Sequence, residues 1–383
     1  MQPLRVAILG AGGTIAPAIV RDLAESDEAG ELLLLDLDAD RARAVGEAQG
    51  GGKARWRRAD ARSGLASAIA ECDVLVNSAS YRINLDVMHA CLEARCHYMD
   101  LGGLYWMTGR QLERHGEFER AGLLALLGIG SSPGKTNVMA VQAVRDLGAP
   151  PERVDVIAGG RDPDPPPGFS VPYALRTLVD ELTMPPVAVH GGRAHELEPL
   201  APGGMVEFPD PIGPADTIHT LHSEVRTFPE SFGCSESSFR LSLAPGLLAR
   251  LRELSDASEE ELDAAARSAL PPSPRTVSVH IVEASDADGR MVRVTATTGP
   301  MEEWGLGGGI VSTAAPAAAA VRLLARGEIR AAGVMPPERC VEPETLFPEL
   351  EGRNCVFDVQ EARFDGPEVQ RSHQNAGLEA PRR

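Results

Sequence analysis

The first strand of the chain runs directly into a glycine-rich turn, and this feature constrains the fold more than any other. Apolar residues from Leu4 to Leu9 are followed by the sequence GAGGTIA at 10–16 and by a helix-like stretch from Pro17 to Glu25. Glycines let the backbone bend tightly and approach a pyrophosphate, while the free amides at the start of the helix attract the phosphates. We therefore interpret the segment as a dinucleotide-binding turn.

Two spacings of small residues are compatible with this interpretation. Gly10 and Gly12 match the first two glycines of a G-x-G-x-x-G fingerprint, whose third glycine is replaced by Ile15. Gly10, Gly13 and Ala16 instead match G-x-x-G-x-x-A, in which Ala16 allows close contact between helix and strand. Either spacing shapes the same pocket, and an ordinary strand-to-helix turn is the alternative to both.

A carboxylate follows the second apolar strand, Leu32–Leu35. Asp36 can accept hydrogen bonds from both ribose hydroxyls of an adenosine and would repel a 2′-phosphate, so it favours NAD over NADP. Arg41 and Arg43 follow closely in the sequence and could bind a 2′-phosphate. The predicted cofactor is therefore NAD, with NADP as the alternative.

Short apolar strands and amphipathic stretches alternate through the first third of the chain. Strands are expected at 4–9, 32–35, 53–58, 73–76, 96–99 and 123–129, with helices between them. Such alternation indicates a parallel sheet covered on both faces, in which ligands bind beyond the carboxyl ends of the strands. The predicted fold class is α/β, with an N-terminal Rossmann domain built on a doubly wound parallel sheet.

The pattern changes near Asn137, where strand-like segments become more numerous and include a hairpin over 276–298. These segments predict a second α/β domain with a mixed sheet. The tail of the chain has few apolar residues and is expected to be flexible. The predicted division is a Rossmann domain over 1–136, completed by about 312–363, a second domain over 137–311 and a tail over 364–383.

Composition disfavours several functional classes. Of the 383 residues 24% are charged, and the formal net charge of −18 opposes binding to nucleic acid or to anionic lipid. The apolar runs are too short for a membrane span, and the six cysteines show neither a C-x-x-C pair nor metal-ligand spacing. We expect a cytoplasmic protein without a leader segment, a metal, a nucleic-acid partner or a membrane partner.

Three loops rich in small residues follow predicted strands, at 77–81, 100–103 and 130–135. Strand ends of a doubly wound sheet lie close to the ligand, and small side chains leave room for a nicotinamide ribose and a substrate. Each loop alone could equally be an ordinary turn. The residues expected to contact the dinucleotide are Gly10, Gly12, Gly13, Thr14, Ile15, Asp36, Asp60, Asn77, Ser78, Ala79, Tyr81, Asp100, Leu101, Gly102 and Gly130.

The segment 217–227, which is expected to be a strand, carries titratable side chains suited to amine chemistry. At strand periodicity His222, Glu224 and Arg226 share one face and offer an imidazole, a carboxylate for an ammonium and a guanidinium for a carboxylate. A solvated strand face with incidental charges is the alternative.

Asp100 and Lys135 are further catalytic candidates. Asp100 ends a predicted strand and could orient a ribose or a substrate amine, or it could cap its own glycine turn. Lys135 follows a Pro-Gly turn at the start of a helix, where its charge opposes the helix dipole. A buried Lys135 with a lowered pKa could act as a general base, whereas an exposed one could not.

A family resemblance is carried by three segments within 74–140, namely VLVNSAS, HACLEARCHYMDLGG and GIGSSPGKTNVMA. They resemble the saccharopine dehydrogenase family, including its lysine 6-dehydrogenase-like branch, and the similarity continues loosely in VEFPDPIG, HSEVRTFP and GVMPPE. The chain differs from saccharopine reductases at Ser132, where those enzymes tend to have an acid before Pro-Gly. It also differs at Asp36, where they often have a base.

The resemblance implies a Rossmann domain, a mixed α/β catalytic domain used in dimerisation, and NAD(P)-linked oxidation or reductive amination at a carbon–nitrogen bond of an amino acid. A lysine-type substrate and a homodimer are the expectations. A saccharopine-type or opine-like condensation, an enzyme that recycles tightly bound NAD, and a non-catalytic nucleotide-binding protein are the alternatives. The expected catalytic residues are Asp100, Lys135, His222, Glu224 and Arg226.

Overall fold

The computed structural model describes residues 2–363, which form two β-sheets with helices packed around them. The first part of the chain alternates between strand and helix, as its periodicity predicts. Its elements are β1 (Leu4–Leu9), α1 (Ala16–Ala24), β2 (Ala29–Asp36), α2 (Ala39–Gln49), β3 (Ala54–Arg58), α3 (Leu65–Ala68), β4 (Val74–Asn77), α4 (Asn84–Ala94), β5 (His97–Asp100), α5 (Leu104–Leu112), α6 (His115–Ala121) and β6 (Leu124–Leu126).

The remaining described elements are α7 (Lys135–Leu147), β7 (Arg153–Arg161), α8 (Leu175–Thr183), β8 (Val187–His190), β9 (Arg193–Glu196), β10 (Pro202–Glu207), β11 (Pro214–His219), α9 (Glu224–Phe232), β12 (Glu236–Leu241), α10 (Pro245–Glu253), α11 (Glu259–Ser268), β13 (Val277–Ser285), β14 (Arg290–Thr298), α12 (Gly308–Arg326), β15 (Gly333–Met335), α13 (Pro343–Glu351) and β16 (Cys355–Arg363). Their strands form the second sheet, except β15, which belongs to the first sheet.

The first sheet has the strand order β15-β6-β5-β4-β1-β2-β3 within the described chain, and its neighbouring strands run parallel. The central strand β1 is apolar on both faces, because helices cover both sides; Val6, Ala7 and Ile8 are fully buried. Strand order reverses beside β1, which is where a doubly wound sheet opens a crevice for ligands. The predicted Rossmann architecture is confirmed.

The second sheet is mixed and is centred on β7. That strand pairs in parallel with β12 and antiparallel with β13, and β13 pairs in turn with β14 as the predicted hairpin. The order along the sheet is β10-β11-β12-β7-β13-β14-β16, and β8 joins β12 to β9. β13 pairs antiparallel along its length with both β7 and β14, and helix α7 packs on β13 and β14.

The segment 217–227 is not one strand, contrary to the prediction. β11 ends at His219, and α9 occupies the chain from Glu224 onward. Val225 and Phe228 are both buried and lie three positions apart, which is the spacing of a helix face and not of a strand. Helical packing against the core therefore outweighs the β-propensity of this stretch.

The C-terminal part of the chain divides between the two sheets. We expected about 312–363 to complete the first domain, and β15 does pair with β6. β16, however, pairs along its length with β14 of the second sheet, which corrects that expectation for residues 355–363. Residues 364–383, predicted to be a tail, lie outside the described residues.

Helix α12 is the one described helix that is long and apolar enough to suit a membrane span. Most of it, 78% of the apolar window, is buried inside the protein, where it packs on α1. Its Arg322 is also buried and donates to Asp22 of α1 at 2.8 Å and to Glu349 of α13 at 2.7 Å. We interpret α12 as a core helix that packs against α1 of the first domain and against β13 and β14 of the second sheet.

Candidate functional site

A cavity of about 820 Å³ separates the strand ends of the first sheet from one face of the second. Helices α8 and α10 cover part of it. Its position, beyond the carboxyl ends of parallel strands, is where doubly wound sheets bind ligands. The lining from the first domain includes Ile15, Ser78, Ala79, Leu101 and Gly102, and that from the second sheet includes Ala158, Gly160, Phe239 and His280.

The glycine turn after β1 has the shape of a phosphate cradle. Gly10 has φ of +76°, and a Cβ there would lie 2.8 Å from the backbone of Ala79. A Cβ at Gly12 would lie 2.8 Å from the Cβ of Arg41. Helix α1 begins after the apolar N-cap residue Ile15, which provides no capping side chain. Pro17 has no amide N–H and the Ala18 amide donates to the Ile15 carbonyl, so Ala16 is the residue of the first turn whose amide is left for a phosphate, together with the positive end of the helix. The turn therefore fits a dinucleotide, as predicted.

Asp36 ends β2 and contacts this turn directly. Its Oδ2 accepts a hydrogen bond from the Gly12 amide at 2.8 Å, and its Oδ1 accepts one from the Asp38 amide at 3.0 Å. The guanidinium of Arg41 donates to the Gly12 carbonyl oxygen. A carboxylate for the ribose and a cation for a 2′-phosphate thus lie side by side.

The other residues predicted to contact the dinucleotide divide into three groups. Two lie outside the cavity lining: Thr14 is exposed in the turn, and Asp60 is exposed after β3 and accepts from the Arg62 amide. Two more, Asn77 and Gly130, support the loops through hydrogen bonds. The Asn77 side chain accepts from the Ala79 amide, and Gly130 forms an isolated β-bridge with Gly134. Those that line the cavity are Ile15, Ser78, Ala79, Tyr81, Leu101 and Gly102.

Asp100 is buried beneath its loop, and its carboxylate is occupied within the protein. Oδ1 accepts from the amides of Gly102 and Gly128, at 2.9 and 2.6 Å. Oδ2 accepts from the Tyr98 hydroxyl and the Gln111 amide, both at 2.7 Å. Burial raises the pKa of Asp100, against the effect of these hydrogen bonds. Capping the glycine turn fits this geometry, so the prediction of a catalytic or cofactor contact for Asp100 is corrected.

Lys135 is buried, but it does not line the cavity. Its Nζ donates to Thr298 Oγ1 at 3.1 Å and to Ser312 Oγ at 2.7 Å, in a small space between α7, β14 and α12. Burial lowers its pKa. A base in this place has no access to a substrate in the cavity, so the predicted catalytic role of Lys135 is also corrected.

A buried histidine stands in the wall of the cavity between two carboxylates. The His222 ring stacks on Phe239 with 3.4 Å between ring centroids. Its Nε2 lies 3.8 Å from Glu181 Oε2, and its Nδ1 lies 3.5 Å from Glu224 Oε2. Burial opposes protonation, but the two carboxylates outweigh it and raise the pKa of His222 to about 9. The cavity wall therefore carries an imidazolium at neutral pH.

Glu224 connects this histidine to the Pro-Gly loop. Its Oε1 accepts from Ser132 Oγ at 2.6 Å and from Thr136 Oγ1 at 2.9 Å. Burial acts to raise the pKa of Glu224, but His222 and the Ser132 hydroxyl lower it below the usual range. Glu224 therefore stays ionised and holds the imidazole in place.

Arg226 does not join the cluster. Its guanidinium pairs with Glu230 Oε1 at 2.7 Å on the outer side of α9. Residues two apart in a helix point in nearly opposite directions, so Glu224 and Arg226 cannot share a face as they would in a strand. The prediction holds for the proximity of His222 and Glu224 and is wrong for Arg226.

Two further groups in this cavity were not predicted from the sequence. Glu181 of α8 accepts a hydrogen bond from the Tyr173 hydroxyl and faces His222. His280 of β13 is buried, and its Nδ1 has no hydrogen-bond partner among the described residues. Burial, with the nearby charges of Lys135 and His222, keeps the pKa of His280 well below 6.5. The sequence feature that could have indicated His280 is a histidine within the largely apolar segment 277–284.

Known proteins resemble this chain over the part that carries the glycine turn. Residues 6–126 match the family model of the saccharopine dehydrogenase NADP binding domain. Carboxynorspermidine synthase from Vibrio alginolyticus is 29% identical over 117 residues, which are 27% of this chain and 28% of that protein. The match thus spans little more than a quarter of that relative's length.

A solved structure extends the likeness to the second sheet. Apo saccharopine dehydrogenase (L-Glu forming) from Saccharomyces cerevisiae has a TM-score of 0.67 against this protein and is 15% identical to it. The match covers 94% of this chain and 100% of that chain, so the two share their fold. The glycine turn, Asp36 and the loops after β4 and β5 lie within the family match, and NAD(P) is the cofactor of this domain. The nucleotide-binding part of the chain, residues 6–126, is therefore similar to the saccharopine dehydrogenase family.

Proposed function

We propose that this protein is an NAD(P)-dependent dehydrogenase that acts at a carbon–nitrogen bond of an amino acid. The observation that supports the proposal best is the position of His222, which faces the same cavity as Ile15, Ser78 and Leu101 at the dinucleotide edge. A bound nicotinamide supplies the hydride acceptor or donor. Oxidation of an amine also requires a group that takes a proton from nitrogen, and a buried imidazole is suited to that step.

His222 is the proposed acid and base. Its pKa of about 9 leaves it protonated at neutral pH, where it donates a proton to the nitrogen in the direction of amine formation. At alkaline pH the neutral imidazole accepts a proton from the substrate ammonium, in the direction of oxidation. Glu181 and Glu224 act as positioning residues, since they contact His222 and set its charge.

His280 supplies a second, uncharged imidazole to the cavity. Its low pKa keeps it neutral across the range in which His222 titrates. A neutral ring can accept a hydrogen bond from a substrate N–H without adding positive charge beside the imidazolium. We propose that the two histidines together orient the reacting nitrogen.

Lysine is the first substrate to test, because the resemblance includes the lysine 6-dehydrogenase-like branch. Purified protein is incubated at alkaline pH with NAD or NADP and a panel of amino acids that includes lysine, and reduced nicotinamide is followed by absorbance. We expect turnover with at least one amino acid, and a loss of about 10²- to 10⁴-fold in the His222→Gln variant, which retains dinucleotide binding. Equal rates in the two proteins would contradict the role of His222.

A reductive condensation of an amine with a carbonyl compound is the second candidate, and the sequence match to a carboxynorspermidine synthase favours testing it. Oxidation of reduced nicotinamide that requires both an amine and a carbonyl compound would identify it. An enzyme that recycles tightly bound NAD would instead retain nucleotide after desalting and release no reduced cofactor. A protein that binds the dinucleotide but shows neither behaviour would be the non-catalytic alternative.

A homodimer is a further part of the proposal, and it follows from the family resemblance. Light scattering on the purified protein tests it directly. A mass near 40.6 kDa, that of one chain, would contradict the dimer.

A further inference from the structure

We propose that the substrate is an amino acid whose non-reacting part is apolar, and that this part lies between the second sheet and the covering helices α8 and α10. The inference rests on the proposed function, because it assigns the cluster around His222 to the reacting nitrogen. It concerns the rest of the same cavity, which extends from that cluster to α10.

The covering wall of this part of the cavity is apolar. It is formed by side chains of the segment before α8, of the end of β12 with the loop that follows it, and of α10, namely Phe169, Pro172, Leu241, Leu243 and Leu247. The covering helices also pack with α11 in a core of their own, which contains Leu178, Leu182, Leu251 and Leu262. The wall is therefore a built part of the fold that presents hydrocarbon to the cavity.

The opposite wall adds space at the residues of β7 that precede Arg161. The end of β7 contributes Ala158, Gly159 and Gly160, which carry little or no side chain. With a volume of about 820 Å³, the cavity has room for a substrate well beyond the reacting carbon and nitrogen.

The carboxylates of this cavity are already engaged, which disfavours a cationic substrate tail. Asp162 accepts from the amide and the hydroxyl of Ser273, at 3.1 and 2.6 Å. Glu181 accepts from Tyr173 and faces His222. A second ammonium on the substrate would therefore share Asp162 or Glu181 with donors that already occupy them, and burying it there is costly.

The positively charged residues of the lining also disfavour an ammonium on the substrate tail. Arg250 pairs with Glu253 at 2.6 Å and lies 5.8 Å from the centroid of the Phe169 ring. Arg161 forms no ion pair with the described residues and is exposed at the end of β7. The charge of Arg250 is offset by Glu253, whereas Arg161 would repel a substrate ammonium, so an apolar tail is favoured over the tail of lysine.

The test is the dependence of binding on chain length. Norvaline, norleucine and 2-aminoheptanoate are titrated by calorimetry into protein saturated with NAD, beside lysine, which has the length of 2-aminoheptanoate, and 2-aminoadipate. We expect Kd to fall about three- to fourfold for each added methylene, which is the effect of burying one such group. We also expect 2-aminoheptanoate to bind at least about tenfold more tightly than lysine. A Kd that does not change with length, or tighter binding of lysine or 2-aminoadipate, would overturn the proposal.

Two variants at Leu247 locate the effect in the cavity. Leu247→Gln makes the covering wall polar and should abolish most of the dependence on chain length. Leu247→Phe keeps the wall apolar and shortens the cavity, so it should weaken only the longest ligand. Met205→Gln is the control, because Met205 is 68% exposed and lies outside the cavity. An unchanged length dependence in both Leu247 variants would count against the assigned wall.

The outcome separates this inference from the proposed function. Hydride transfer from amino acids without any preference for apolar chains would leave the function standing and overturn the inference. Binding that strengthens with chain length, without hydride transfer, would support the apolar site and contradict the dehydrogenase.

Discussion

At the scale of single residues, the proposed function depends on the charge of one imidazole. His222 is buried, and burial alone would leave it neutral. Glu181 and Glu224 lie on either side of the ring and reverse that preference, raising its pKa to about 9. In the proposed function, the pH at which His222 can give or take a proton therefore depends on carboxylates that need never touch the substrate.

Replacing Glu181 by Gln should shift the pH dependence of amine oxidation. The substitution removes one of the two negative charges, so the pKa of His222 falls from about 9 and the neutral imidazole forms at lower pH. The rise of kcat/KM for oxidation should move to lower pH by one unit or more. The measurement is a pH–rate profile, with Glu230→Gln on the outer side of α9 as the control. A rise that stays near pH 9 would refute the coupling.

Arg41 should contribute to binding of NADP and not of NAD. Its guanidinium already lies against Gly12, beside the carboxylate that would meet the adenosine ribose. Removing a charged partner of a phosphate costs about 1.5–3 kcal/mol, so Arg41→Ala should weaken NADP about 10- to 100-fold. Calorimetry with both cofactors tests this, and Arg43→Ala is the control because Arg43 pairs with Asp40. Equal losses for NAD and NADP would show that Arg41 holds the turn and not the 2′-phosphate.

At the scale of elements, the approach between the β1–α1 turn and the loop after β4 shapes the dinucleotide edge. Gly10 is in a left-handed conformation and packs against Ala79, and Ala79 is in turn held by Asn77. Two loops from neighbouring strands are thus in backbone contact. A side chain between them would separate the loops and widen the crevice.

A pair of glycine variants tests this contact. Gly10→Ala adds a Cβ 2.8 Å from backbone atoms of Ala79, so we expect dinucleotide binding to be lost and stability to fall. Gly52→Ala has the same kind of positive φ, +83°, but open space around it. It should cost only about 1 kcal/mol of backbone strain and leave binding intact. Calorimetry and urea unfolding provide the two measurements, and similar behaviour of both variants would refute the role of the contact.

At the scale of the whole molecule, the two sheets are connected on both sides of the cavity. In front, Asp180 of α8 accepts from the Tyr81 hydroxyl at 2.8 Å and pairs with Arg82 at the same distance. Elsewhere, the buried carboxylate of Asp22 in α1 accepts hydrogen bonds from Arg322 of α12 and from Arg353, which precedes β16. Ionic contacts of this kind fix the orientation of the two cavity walls, while the apolar cores supply most of the stability.

Asp22→Asn should destabilise the protein strongly, although Asp22 does not line the cavity. Removing the negative charge leaves two guanidinium groups without their shared buried partner, a change that costs about 3–5 kcal/mol. Glu71→Gln removes the exposed partner of Arg5 and should cost at most about 1 kcal/mol. Urea unfolding compares the two, and a small effect at Asp22 would show that the pair contributes little to holding α1, α12 and α13 together.

The amino-acid sequence by itself determined six of the seven strands of the first sheet, all except β15, and the glycine turn. The predicted β1 at 4–9 matches the structure, and β4 and β5 differ from prediction by about one residue at each end, because each short apolar strand is flanked by local turn signals. The cradle at Gly10 could be predicted for the same reason, since a positive φ and a missing Cβ are properties of a few adjacent residues.

Only the tertiary structure decided which titratable groups face the cavity. Glu181 reaches His222 from another element, Asp100 is saturated by its neighbours, and Lys135 lies behind the cavity. The helix at Glu224 was set by packing against the core, and that helix directs Arg226 outward. Burial and through-space distance determine pKa values and contacts, and neither quantity is contained in a local pattern of residues.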